Sequence, residues 1–282
     1  MTSSPRRPER SGCRALLALG VVAVSAVVLA GCATASARTH SLPPADAGFD
    51  YQLGGAYEPP SGVAVVERDR TAQPAGLGYD ICYVNGFQTQ PGESAGFEKK
   101  HPDLVLRQDG EPLADPDWPD EYLFDTSTAQ KRSALAQIVG GWIRGCRESG
   151  FDAVEIDNLD SFTRSDGALT AKDNIALAEQ YARAAHDAGL AIAQKNTAEL
   201  SARLHAHGYD FAVTESCEQF SECDAYTDVY PVVLDIEYTD ELGVAGFRKA
   251  CDDADRPAVM ILRDHDLVTP GDEQYHYEAC EH

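Results

Sequence analysis

Short apolar runs alternate along this chain with longer amphipathic stretches. Eight runs are rich in β-branched and aromatic residues: 63–66, 79–84, 122–124, 153–156, 190–193, 211–214, 232–236 and 258–262. Runs of this length bounded by polar residues read as strands. Between several of them lie helical patterns. In 127–149, Leu135, Ile138, Trp142 and Ile143 recur at helical spacing, and Gly150 stands where the helix should stop. Residues 173–188 repeat the pattern and meet Gly189, and 239–251 predicts a third helix. Strands alternating with helices predict a parallel α/β fold. Eight strands within roughly 220 residues predict one closed (β/α)8 TIM barrel over 49–282. The polar, Gly- and Pro-rich segment 88–121 reads as a loop insertion near the active face.

The first residues follow another logic. Arg6, Arg7, Arg10 and Arg14 precede an uncharged stretch over 15–30, and Leu29-Ala30-Gly31-Cys32 closes it. A basic region, a short apolar run and small residues make an export signal over 1–31. Sixteen uncharged residues fall short of the roughly 20 that span a bilayer. The Leu-Ala-Gly-Cys ending resembles a bacterial lipobox, which implies cleavage before Cys32 and lipidation of its thiol. Residues 32–48 then form a flexible tether. The protein is expected outside the cell, anchored through lipid to the outer face of the cell membrane.

Composition narrows the partners. With 23 Lys+Arg against 46 Asp+Glu the formal charge is -23. Loss of 1–31 removes four arginines and one glutamate and leaves -26. No basic surface remains to neutralise phosphates, so nucleic acid is excluded, whereas a cationic partner fits. Of the eight cysteines, Cys13 leaves with the signal and Cys32 takes the lipid. An even six remain, which in an exported protein predicts three disulfides. Cys217 pairs with Cys223 across a short loop. Cys251 with Cys280 and Cys82 with Cys146 follow as the remaining pairs, one of fifteen possible connectivities. No Cys-x-x-Cys or His-Glu-x-x-His is present and the histidines are scattered, so no metal or other cofactor is expected.

In a barrel of this kind the chemistry sits at the C-terminal ends of the strands. Asp157, Glu215, Glu237 and Asp125 end predicted strands in acids, Lys195 and Asn196 end another, and Asn158 follows Asp157. Glycoside hydrolysis needs two carboxylates facing across a cleft, one to protonate the leaving oxygen and one to attack the anomeric carbon or activate water. Asp157 and Glu215, on the fourth and sixth predicted strands, fit that arrangement. A helix cap or an ion pair is the plain alternative for each acid. Lys195 could serve as a Schiff-base nucleophile, but Gln194 and Asn196 beside it suit a hydrogen-bonding lysine.

Several segments carry a family resemblance: DYQLGG (50–55), ICYVNG (81–86), WPDEYLFD (118–125), GFDAVEIDN (150–158), AIAQKN (191–196), FAVTESCEQFSEC (211–223) and IEY (236–238). In this order they resemble glycoside hydrolase family 114, the endo-α-1,4-polygalactosaminidases. The resemblance implies a (β/α)8 barrel that cleaves α-1,4-linked galactosamine-containing polysaccharide, a cationic amino-sugar polymer. It implies Asp157 as nucleophile and Glu215 as acid/base of a retaining reaction. It also implies a lining that includes Glu237, Lys195, Asn196, Asp125, Tyr83, Asn158, Gln52 and Trp118. Competing readings are a non-catalytic polysaccharide-binding lipoprotein on the same barrel, a surface adaptor, and a glycosidase for another α-linked polymer.

Overall fold

The computed structural model describes residues 40–280. The expected signal over 1–31, the lipidated Cys32 and the tether as far as residue 39 lie outside the described residues. From His40 onward the chain lies against the barrel, where the Tyr79 hydroxyl donates to the Ser41 carbonyl (2.6 Å).

Eight strands run parallel in sequence order. They are β1 (Gly48–Gln52), β2 (Val63–Asp69), β3 (Tyr79–Asn85), β4 (Ala153–Asp157), β5 (Ala191–Lys195), β6 (Phe211–Glu215), β7 (Val233–Tyr238) and β8 (Val259–Arg263). A ninth, β9 (Tyr277–Ala279), pairs antiparallel with β8. Together they make a nearly closed barrel. The helices are α1 (Ser94–Lys100), α2 (Ala129–Ser149), α3 (Ala171–Ala188), α4 (Ser201–Ala206), α5 (Asp224–Thr227) and α6 (Gly243–Cys251).

Side chains stitch the seam between β8 and β1. The buried Arg263 guanidinium donates to the Tyr51 carbonyl and pairs with the buried Asp50 (3.2 Å). Tyr277 donates from its hydroxyl to the Phe49 carbonyl (2.9 Å).

The run 122–124 is not a barrel strand. It meets Gln88, Val105 and Ala114 through single bridges within the insertion, and Leu123 packs with Leu106 and Leu169. Its apolar character serves a small satellite core. The strand that completes the eight is β1, whose Asp50 and Gln52 interrupt the apolar pattern. The insertion itself also carries structure, including α1.

The two-residue period of the strands sorts their side chains. Phe49, Val65, Ile81, Ala153, Ala193, Phe211, Leu234 and Ile261 face inward as one cluster. Cys82, Val84, Val154, Ile156, Ile192 and Ala212 face outward onto Leu135, Val139, Ile143, Ile175, Ala178 and Tyr181 of α2 and α3. The disulfides are Cys82–Cys146, tying β3 to α2, Cys217–Cys223, and Cys251–Cys280.

Helix ends follow local rules. Thr128 caps α2 from its side chain, and Gly150, left-handed at φ 106°, ends it. Thr170 and Asp173 form a reciprocal capping box at the start of α3. Thr170→Ala is expected to lower stability by about 1 kcal/mol. The urea unfolding midpoint reads this directly, and an unmoved midpoint would show that the cap contributes nothing.

Candidate active site

The C-terminal ends of β4, β5 and β6 each break into a left-handed residue that is not glycine: Asn158 (φ 63°), Asn196 (φ 46°) and Ser216 (φ 61°). These conformations cost energy and persist where the surroundings over-determine them. Here they turn the chain sharply, so that the last side chain of each strand points into a cleft of about 680 Å³. Asp157, Lys195 and Glu215 are those side chains.

Donors hold both acids in place. Asp157 accepts from the Tyr83 hydroxyl (2.7 Å) and from the Asn158 amide N–H (2.7 Å). Asn158 is itself fixed, donating to Asn85 (3.0 Å) and accepting from Arg164 (2.9 Å). Glu215 accepts from Asn196 (3.2 Å) and from the Tyr238 hydroxyl, while its backbone N–H donates to Asn196 (2.8 Å). Lys195 lies 3.4 Å from Glu215 and 3.0 Å from Glu155, and also donates to the Tyr51 hydroxyl.

Beneath the floor, the inward positions of the strands carry charge. Glu67, Glu155 and Lys195 are fully buried. Burial pushes Glu155 up, Lys195 pulls it back, and the balance leaves it at about 7. Burial and the neighbouring Glu155 push Glu67 well above the usual carboxylate range, so this pair retains a proton. Burial alone would lower Lys195, but the surrounding Glu155, Glu215, Asp157 and Glu67 raise it far above its ordinary value, and it stays an ammonium. Burial raises Glu215 too. The Lys195 charge and the bonds from Tyr238 and Asn196 outweigh that, and Glu215 ends below its ordinary range.

The structure brings Asp157, Glu215, Lys195, Asn196, Tyr83, Asn158 and Trp118 to one cleft. Three expected lining residues lie elsewhere. Glu237 points away from the barrel interior, because Ile236 and Tyr238 take the inward positions beside it. It accepts the Glu218 backbone N–H (2.7 Å) and neighbours Asp235, and burial raises it to about 7. Gln52 likewise faces outward beside the inward Tyr51, bonded to Asp50 (2.7 Å) and Arg68 (2.9 Å). Asp125 follows the insertion segment and not a barrel strand. It caps Ser127 (3.0 Å) and pairs with Lys131.

Sequence reading passed over Glu67, Glu155, Tyr238 and Phe220. Glu155 had a signal, since it stands two residues before Asp157 and shares its side of the strand. Phe220 had none. It is 64% exposed and lines the cleft, as does Trp118 at 60%.

Among the described residues, nine carboxylates line the cleft against two cationic side chains, Lys195 and Arg164. Lys195 is engaged as above, and Arg164 pairs with Asp115 (2.6 Å) and Asp160 (2.7 Å). Cys217, Cys223 and Asp235 cluster as potential metal ligands, but both sulfurs are in a disulfide and offer no thiolate.

A barrel with two oriented carboxylates at the tops of alternate strands, and aromatic faces on its walls, is the architecture of a glycoside hydrolase. The model of glycoside-hydrolase family GH114 matches residues 30–282, and the chain belongs to that family. Ega3 of Aspergillus fumigatus, solved in complex with galactosamine, is similar in fold. It has 24% identity and a TM-score of 0.66, with 85% of this chain and 98% of that chain covered. The glycoside hydrolase domain of PelA from Pseudomonas aeruginosa has 15% identity and a TM-score of 0.56, over 80% and 97% of the two chains. No curated protein sequence matches the chain.

Proposed function

We propose that the protein is an endo-acting hydrolase of α-1,4-linked galactosamine-containing polysaccharide, exported and held by lipid at the outer face of the cell membrane. The observation that carries the substrate is the cleft's charge. Nine carboxylates against two internally paired cations attract a polymer of protonated amino sugars and repel anionic ones. The galactosamine bound by Ega3, a protein of similar fold, agrees with this chemistry. Trp118 and Phe220 offer apolar faces for sugar rings on the cleft walls. Three disulfides suit an oxidising compartment, which supports export.

In this reading Asp157 attacks the anomeric carbon while Glu215 protonates the leaving oxygen, then activates water to release the sugar with retention. One observation favours the reverse assignment. Lys195 and Tyr238 hold Glu215 below its ordinary range, which suits an ionised attacking group.

The test is release of new reducing ends from partly deacetylated α-1,4-galactosaminan, from its fully N-acetylated counterpart and from a neutral galactan. Release is expected from the deacetylated polymer, at a rate that falls as salt screens the cleft. Equal or faster release from the neutral galactan would remove the charge argument. Binding without release would leave a polysaccharide-binding barrel.

A further inference from the structure

His40, His186 and Asp210 are scattered in the sequence and meet at the bottom of the barrel, the face opposite the cleft. His40 lies ahead of β1, His186 stands in the last turn of α3, and Asp210 directly precedes β6. Asp210 turns one oxygen to each ring: His40 Nε2 is 3.2 Å from Oδ1, and His186 Nε2 is 2.9 Å from Oδ2. The two imidazoles stack with centroids 4.3 Å apart. All three ligand atoms lie within 4.8 Å of one another, and all three residues are partly exposed, which leaves one side open to water.

We propose that these residues form a binding site for one divalent transition-metal ion, of which Zn²⁺ is the representative. Two imidazole nitrogens and a carboxylate oxygen are a donor set for Zn²⁺ and its Co²⁺ and Ni²⁺ neighbours, not for Mg²⁺ or Ca²⁺. Bonds of about 2.0–2.2 Å in a tetrahedron place ligand atoms roughly 3.3 Å apart. Each Nε2 stands within a few tenths of an ångström of that separation from its own Asp210 oxygen, Oδ1 for His40 and Oδ2 for His186. The stacked rings hold their in-plane Nε2 lone pairs parallel, so taking up one ion requires a ring to rotate out of the stack until both lone pairs converge, with each ring's proton held on Nδ1. Water fills the remaining position.

The site is also supported from behind. The Ile192 backbone N–H donates to Asp210 Oδ2 (3.0 Å) and orients the carboxylate, the outer contact that metal ligands commonly have. The Tyr79 hydroxyl on the Ser41 carbonyl holds the segment that presents His40. With neutral imidazoles the cluster carries one negative charge, on a chain whose formal charge is -23. A bound ion would bridge the segment ahead of β1 to α3 and β6, so its effect falls on the attachment of that segment and not on the cleft.

The experiment uses the full chain without a histidine tag, freed of metal by chelation and titrated with Zn²⁺ by calorimetry at pH 7.5. One ion per chain is expected. Zn²⁺ at about a hundredfold excess over its dissociation constant should raise the melting temperature by roughly 5–10 °C. His40→Ala, whose segment lies outside the barrel core, should weaken binding at least about tenfold, as should Asp210→Asn. Absence of Zn²⁺ binding to the wild type, or unchanged affinity and stoichiometry in His40→Ala, would overturn the site.

Discussion

Asp157→Asn and Glu215→Gln are each expected to lower kcat on galactosaminan by about 10⁴-fold or more while leaving the fold intact. The size follows from chemistry. Without a leaving-group proton or an attacking carboxylate, the glycosidic bond has no low-energy path. Each change replaces an oxygen by an NH₂ of similar size and keeps part of the hydrogen-bond pattern from Tyr83, Asn158, Asn196 and Tyr238. Polymer binding should therefore survive. A loss smaller than about tenfold in either variant would remove that residue from the reacting pair. Azide separates the two roles. In glycine variants, azide that intercepts a covalent intermediate gives the α-azide and marks the missing group as acid/base. Azide that attacks in place of a missing nucleophile gives the β-azide. The β product from Asp157→Gly would support attack by Asp157, and the β product from Glu215→Gly would support the reverse order.

Lys195→Met is the second large effect, and it falls on stability as well as rate. Lys195 is the cation set among Glu155, Glu215, Asp157 and Glu67. Met fills its volume but leaves the buried Glu155 without its partner, a loss of about 3–5 kcal/mol for a buried pair. Glu155→Gln in the same chain removes the stranded charge, so the double variant should regain a large part of that stability. Simple additivity of the two changes would show that the pair is not coupled.

The sign for Glu215 is separate. Its folded-state pKa is lowered, so it contributes stability above its unfolded value, and that contribution is lost as pH falls through the folded value. Without Lys195 the folded value rises, and the acid-side loss should begin at higher pH. An acid unfolding profile that keeps its shape in Lys195→Met would contradict the assigned electrostatics.

Much of the site was legible before any fold was known, for a reason that also sets the limit. Asp157, Lys195 and Glu215 each end an apolar run, and strand ends converge in a parallel barrel wherever the chain happens to be. Glu237 meets the same description and fails, because the period of two places Ile236 and Tyr238 inside and turns Glu237 out. The parity was available in the sequence and decides the matter once it is applied to both neighbours. Asp125 fails differently. The run before it is apolar for the sake of the insertion's own small core, and no local pattern distinguishes that from a barrel strand.

What the sequence determined by itself is therefore the alternation of strands and helices, the helix stops at Gly150 and Gly189, the parity of the strands and the acids at their ends. All of these are consequences of local backbone geometry and of burying one face of each element. Tertiary structure alone decided that β1 closes the barrel, because the buried Asp50 is matched there by Arg263 across the seam as well as by Gln52 and Tyr57. It decided that Lys195 is a buried cation, because the acids around it come from β2, β4 and β6. It decided that His40, His186 and Asp210 share one place. Each of these depends on polar groups far apart in the chain that offset one another only once the fold brings them together, and no window along the sequence contains all the partners.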